Sequence, residues 1–188
     1  MTAEHGALHW TRYRAAAETL PSINWSWPLR GAGLAWMGVD GAPVAEPLPT
    51  CGRDEILVRV DAVSLCSSDA KMIRLGDRYP LFYGRDLRQE PTRLGHEVAL
   101  TVVEVGTRWQ HHFSRGQRLG LQPDVFSGGR RTCFGVLIPG GLAQYVALGP
   151  DVLDGDAGSY VFPVPDSLGY ADVALLEPWA CVDAAYAP

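Results

Sequence analysis

RLGHEVALTVVEVG, residues 93–106, decides how the rest of the chain is read. Between Gly95 and Gly106 the run is dominated by valine, leucine, alanine and threonine, with no proline and one interior carboxylate. That composition predicts a long, largely buried strand over 94–105. A buried strand has no need of an imidazole beside a carboxylate. His96 and Glu97 at its mouth therefore raise the question of what else converges on them.

Upstream, DEILVRVDAVSL (54–65) alternates Ile56, Val58 and Val60 with Leu57, Arg59 and Asp61, which predicts a second strand with one face in the core. CSSDAKMIRLG (66–76) reads as a turn entering a short helix, capped by Ser or Asp and stopped by Gly76. LAWMGV (34–39) and APVAEPLP (42–49) read as short strands, and SINWSWPLRG as an irregular connection between them and the N-terminus. Trp10, Tyr13, Ala17 and Leu20 recur at helical spacing, so a first helix is expected to end at Pro21.

Downstream, residues 77–92 mix charges with turn formers and read as a surface loop. GQRLGLQPDV (116–125) and GGLAQYVAL (140–148) read as strands flanking the loop SGGRRTCFG. YVFPVPDSL (160–168) gives a last strand, and 170–186 a helix interrupted near Pro178. Many short strands with Gly and Pro turns and a helix at each end predict a mainly β barrel or sandwich.

Composition narrows the function. Hydrophobic residues are 47% and charged residues 20% of 188, enough for one domain with its own core. The net charge of −5 with scattered cations argues against nucleic acid and against an anionic membrane surface. No apolar run has the length of a membrane span, and the N-terminus lacks a signal-peptide pattern, so a cytoplasmic protein is expected. Cys51, Cys66, Cys133 and Cys181 form no CxxC, which excludes a zinc ribbon or thioredoxin motif. GAGLAW (31–36) begins like a dinucleotide fingerprint, but its third glycine is Trp36 and it precedes a strand.

The chemistry-bearing residues are Cys66 at a strand end, His96 and Glu97 at a strand start, and Glu177 in the last helix. Thiolate, imidazole and carboxylate are ligand types that a tetrahedral zinc accepts. On residue types alone the set is a weak signal, because isolated buried cysteines and histidines without metal are common.

Their order and wording resemble the zinc-dependent medium-chain dehydrogenase/reductase family, the alcohol and polyol dehydrogenases. The family's GHE signature continues through two residues, a glycine, five residues and a glycine. Here Gly95, His96, Glu97 and Gly106 match it, and Leu100 replaces the middle glycine. The family's Cys-Gly-Ser-Asp-x-His turn stands as Cys66-Ser67-Ser68-Asp69-Ala70-Lys71, and its EPL as Glu177-Pro178-Trp179. SLCSSDAK, GTRWQHHFSRGQR and EPWACV further resemble the sorbose-1-phosphate reductase branch.

The resemblance implies a GroES-like, partly open β-barrel over 29–188, with residues 1–28 as a helical extension. It implies Cys66 and His96 as ligands of one catalytic zinc, with Glu97 and Glu177 competing for the third protein position. Ser68 is implied as the hydroxyl that relays the substrate proton, and Asp69 as the carboxylate that orients His96. Lys71 and Trp179 are candidate substrate contacts. Lys71, Arg130 and Arg131 read either as phosphate ligands or as solvated surface charges, and Cys181 as an alternative ligand or a packed helix cysteine. With only Cys133 in the region of the family's four-cysteine lobe, no structural zinc is expected.

The family's Rossmann domain, which carries NAD(H) or NADP(H), is expected after residue 188. The chain is then a truncated form or one part of a split enzyme, inactive alone. It is expected to have an exposed apolar patch near 170–188. Any homo-oligomer would form through that missing domain. The substrate class implied is a small alcohol, polyol or sugar phosphate. A non-catalytic zinc- or ligand-binding barrel and a zinc-free reductase relative are the alternatives, the second suggested by Leu100 and Lys71.

Overall fold

A computed structural model describes residues 3–186. In chain order its elements are α1 (Ala3–Arg14), β1 (Ile23–Ser26), β2 (Pro28–Leu29), β3 (Val44–Pro47), β4 (Ile56–Ser64) and α2 (Ser67–Leu75). There follow β5 (Thr92–Arg93), β6 (Glu97–Val105), β7 (Arg118–Leu121), β8 (Phe126–Ser127) and β9 (Arg130–Arg131). The chain ends with β10 (Tyr145–Leu148), α3 (Pro150–Leu153), β11 (Val161–Pro163), α4 (Tyr170–Ala174) and α5 (Leu176–Tyr186). The architecture is mainly β with flanking helices, as expected. No helix among the described residues is long and apolar enough to cross a membrane.

The central sheet runs β10-β4-β6-β7-β11, and every pairing in it is antiparallel. β6 lies in its middle, and seven of its nine residues are buried, which is why its sequence shows no alternation. Ile56, Val58, Val98, Leu100, Val102 and Leu119 build the main core between this sheet and the loops folded over it. β4 departs from the expected one-sided strand, because Leu57 and Arg59 are buried as well. The segment after α1 covers Leu57 through Ala16. α1 itself covers Arg59, whose guanidinium lies 3.5 Å from the Tyr13 ring centre. Arg59 pairs with the fully buried Asp61 at 2.7 Å, and Asp61 also accepts hydrogen bonds from Tyr13 Oη (2.8 Å) and Thr101 Oγ1 (2.5 Å).

Several local expectations are corrected. Residues 34–39 form a 3-10 turn over Leu34–Trp36 rather than a strand, with single bridges at Met37 and Val39. Gly33 there adopts φ +99, and Leu34 is 77% exposed and serves no core, while Met37 packs against the edge of one. The supposedly irregular 22–31 instead carries β1 and β2. In β1 the polar Asn24 and Ser26 point inward and Ile23 and Trp25 outward, which inverts the usual signal. Asn24 replaces a strand partner, exchanging side-chain hydrogen bonds of 3.0 Å with both backbone groups of Tyr145. α1 ends at Arg14, before Ala17 and Leu20, and Ala16 turns the chain with φ 51.

The 77–92 segment is not merely a surface loop, because Phe82 and Leu87 are fully buried and anchor a second core with Leu29, Met72 and Leu94. The helical break near the C-terminus falls at Leu175, between α4 and α5. Pro178 is tolerated because it sits in the first turn of α5, where its missing N–H has no partner to lose. No residue of α5 is buried. Leu175, Trp179, Val182 and Tyr186, spaced as one helical stripe, are all exposed, which is the apolar patch expected near the C-terminus.

Candidate metal centre

β4 and β6 are in register with Ser64 opposite Glu97, and the chain leaves β4 directly into α2. Cys66 occupies the N-cap of α2, and two residues before Glu97 the backbone turns at Gly95 with φ +83. A side chain there would meet Val63 Cγ2 at 2.8 Å, so glycine lets His96 swing in beside Cys66. The ligand atoms of Cys66, His96 and Glu97 all lie within 4.8 Å of one another.

Asp69 binds this corner together. Its Oδ2 accepts the Cys66 N–H at 2.9 Å, and its Oδ1 accepts the Gly95 N–H at 3.2 Å and faces His96 Nδ1 at 3.6 Å. With Nδ1 committed to Asp69, His96 Nε2 points the other way, 3.4 Å from Ser68 Oγ. Ser64 donates its hydroxyl proton to Glu97 Oε2.

The electrostatics follow from these contacts. Burial penalises the Cys66 thiolate, but hydrogen bonds from Ser68 and His96 outweigh it and lower the thiol below its ordinary range. Burial also opposes charge on His96, yet the hydrogen bond and charge of Asp69, reinforced by Cys66, raise it to about 9. Asp69 is driven down in spite of its burial, first by His96 and then by the two backbone N–H groups. Glu97 is raised, mainly by burial and further by the charge of Glu177, against the lowering pull of Cys66 and His96. A polarised thiol, an imidazole with one nitrogen turned outward and a buried carboxylate are donor types that a zinc ion accepts. A metal ion there would displace protons from the first two.

Cys66, Ser68 and His96 open on a cavity of about 390 Å³, and Glu177 lines it from α5. Glu177 stands outside the mutually close trio and accepts a hydrogen bond from Cys181 Sγ at 3.2 Å. Lys71 and Trp179 do not line the cavity. Lys71 is exposed on α2, and Trp179 is 67% exposed on α5. The cavity is also lined by Gln122, Asp124, Arg131 and Cys133, of which the sequence offered only Arg131, as a phosphate ligand or a surface charge. Cys133 is buried and donates to Asp124 Oδ1 at 3.0 Å, and burial and that carboxylate push its thiol up to about 12. The only sequence signal for these residues was the SGGRRTCFG loop, whose pairing with residues 123–125 is not local.

Residues 52–153 match the alcohol dehydrogenase GroES-like domain. Sorbitol dehydrogenase of Bacillus subtilis (strain 168) is 30% identical over 148 residues, covering 71% of this chain and 38% of the relative. L-sorbose 1-phosphate reductase of Klebsiella pneumoniae is 32% identical over 141 residues, covering 74% of this chain and 33% of the relative. The chain thus spans about a third of the length of each relative. Among solved structures, a Sinorhizobium meliloti 1021 protein assigned as a zinc-binding dehydrogenase, bound to NADP, superposes with a TM-score of 0.63. Its identity is 22%, over 87% of this chain and 46% of that one, a likeness of fold.

Proposed function

The chain belongs to the alcohol dehydrogenase GroES-like domain family, and from that premise we propose that it is the zinc-binding catalytic domain of a cytoplasmic NAD(P)-linked oxidoreductase. Its substrate class is a small alcohol, polyol or sugar phosphate. The observation that carries the reading is the convergence of Cys66, His96 and Glu97 within 4.8 Å, from a helix cap and a strand mouth thirty residues apart in sequence.

In this reading Cys66 and His96 hold the metal, with Glu97 as the nearer and Glu177 as the more distant carboxylate. Bound zinc polarises a substrate carbonyl or acidifies an alcohol, so that hydride can be exchanged with a nicotinamide. The protein's own groups do the rest. Asp69 fixes the His96 ring through Nδ1 and leaves Nε2 free for a ligand role. Ser68, whose Oγ is 3.4 Å from Nε2 and lines the cavity, is placed to take the proton of a substrate hydroxyl. Met72, Phe134 and Val136 make an apolar wall that limits water around it. Ser64 holds Glu97 in one orientation.

The nicotinamide is bound by a separate domain in this account, and the exposed stripe on α5 is the face it packs against. The chain by itself then holds metal without turning over. Four free thiols fit a reducing compartment. The zinc-free alternative gains nothing from the two motif departures, because Leu100 lies in the core against Leu119 and Lys71 faces solvent.

Metal analysis of wild type, Cys66→Ser and His96→Ala after zinc loading tests the proposal. One zinc per chain, lost in both variants, is expected. A wild type that takes up no zinc, or variants that keep it, would overturn it.

A further inference from the structure

The cavity wall opposite Cys66 and His96 carries an ion pair that the zinc chemistry does not use. Arg131 Nε meets Asp124 Oδ1 at 2.5 Å, and both side chains are more than two-fifths exposed. A pair so exposed contributes little to stability. Its surroundings nevertheless hold it firmly. Backbone hydrogen bonds from Thr132 to Val125 (2.8 Å) and from Phe134 to Pro123 (2.9 Å) zip residues 123–125 against 132–134. Asp156 closes the β8–β9 turn by accepting the N–H groups of Gly128 and Gly129, each at 2.8 Å.

The backbone that carries the pair is tied down, yet part of the pair's hydrogen-bonding capacity is unused. Asp124 Oδ1 takes Arg131 and Cys133, while among the described residues no donor reaches Oδ2. Arg131 spends Nε on Asp124 and its guanidinium also lies against the Cys133 thiol, while no oxygen acceptor among those residues reaches its Nη groups. Gln122 beside them uses its Oε1 on the Asp124 N–H at 3.2 Å and keeps its amide donors. A free carboxylate oxygen next to free guanidinium donors both accepts and donates, which matches two neighbouring hydroxyls.

Charge decides between a neutral and a phosphorylated ligand. Among the described residues Arg131 is the only lysine or arginine lining this cavity, and Asp124 already neutralises it. Glu177 adds a further carboxylate to the same wall system. A phosphate dianion would find no unpaired cation here.

We propose that Asp124 and Arg131 form a diol-recognition subsite that selects a neutral, polyhydroxylated substrate whose reacting carbon lies at the Cys66–His96 end of the cavity. The subsite rests on the zinc-site reading given above, and it narrows the substrate class to polyols in preference to their phosphates.

The test measures binding of D-sorbitol, butan-1-ol and sorbitol 6-phosphate to the zinc-loaded chain by calorimetry, in wild type, Arg131→Met and Arg131→Lys. Zinc content is read on the same samples. Sorbitol should bind wild type about tenfold more tightly than butan-1-ol or better, and both variants should lose that margin with zinc content and butan-1-ol binding unchanged. The lysine variant keeps the charge and removes the fork, so a loss in it excludes a simple charge effect. Zinc retained with sorbitol binding indifferent to both variants overturns the subsite alone. Tighter binding of sorbitol 6-phosphate than of sorbitol, lost in Arg131→Met, overturns it in favour of an anion site. A wild type without zinc overturns the underlying site reading and the subsite with it.

Discussion

Asp69→Asn replaces one atom in a side chain that is almost fully buried, and the structure says why that exchange is not conservative. Both carboxylate oxygens face donors: Oδ2 the Cys66 N–H at 2.9 Å, Oδ1 the Gly95 N–H at 3.2 Å and His96 Nδ1 at 3.6 Å. Asparagine offers one oxygen and one NH2 group. Whichever way the amide turns, a donor meets a donor. Losing a hydrogen bond to a charged group costs about 1.5–3 kcal/mol, and a stranded buried N–H about 1–3 kcal/mol more. The sum, about 2.5–6 kcal/mol, is a large share of the roughly 5–15 kcal/mol that holds a typical domain together.

Urea titration of the chelator-treated chain at pH 7 reads this as a midpoint lowered by about 2 M, for a slope of about 2 kcal/mol/M. The pH dependence has a definite sign. His96, raised to about 9, contributes stability that is complete below its unfolded value near 6.5 and is lost as pH rises through 9. Asp69, depressed, contributes stability that is present above its unfolded value of about 3.9 and is lost as pH falls through its folded one. In the variant the NMR titration midpoint of His96 should fall clearly below 9. A loss under about 1 kcal/mol, or an unmoved His96 midpoint, would refute the claim that Asp69 holds the corner.

Three further perturbations probe the scaffold. Gly95→Ala forces a left-handed residue to carry a Cβ only 2.8 Å from Val63 Cγ2, and should cost about 1–3 kcal/mol in thermal unfolding and weaken zinc uptake through His96. Leu100→Ala, in the main core, should cost about 2–5 kcal/mol by urea titration while zinc stoichiometry stays at one. Asp61→Ala strands Arg59 beneath α1 and should cost about 3–5 kcal/mol, with limited proteolysis cutting the segment around Tyr13 sooner than in wild type.

The site was more legible in the sequence than the fold's periphery was. Cys66, Ser68 and Asp69 fall within four positions of one helix entry, and His96 and Glu97 flank a strand mouth, so the family motifs singled them out together. The first-strand errors have a physical source. β1 buries Asn24 and Ser26 and exposes Trp25, because its inner face is satisfied by side-chain hydrogen bonds to Tyr145 rather than by packing. Periodicity cannot see such a strand. Residues 34–39 look apolar and extended in sequence, yet the glycines around them and the exposure of Leu34 permit a 3-10 turn.

Asp124 stayed illegible for another reason, and Arg131 was legible only as a phosphate ligand or a surface charge. Each is an ordinary charge in a polar loop, and the hairpin pairing of 123–125 with 132–134 sets both in the lining of the cavity that His96 shares. The buried Phe82 and Leu87 show the same limit, since turn residues around them conceal a second core.

The account's central claim is a zinc held by Cys66, His96 and a carboxylate. Zinc-edge X-ray absorption on the loaded chain tests it most directly. The account predicts one sulfur at about 2.3 Å with the remaining ligands nitrogen or oxygen at about 2.0–2.2 Å, and no sulfur in Cys66→Ser. Two or more sulfurs would bring Cys133 or Cys181 into the shell, and a sulfur-free shell in the wild type would remove Cys66 from it. Either result would contradict the site built here.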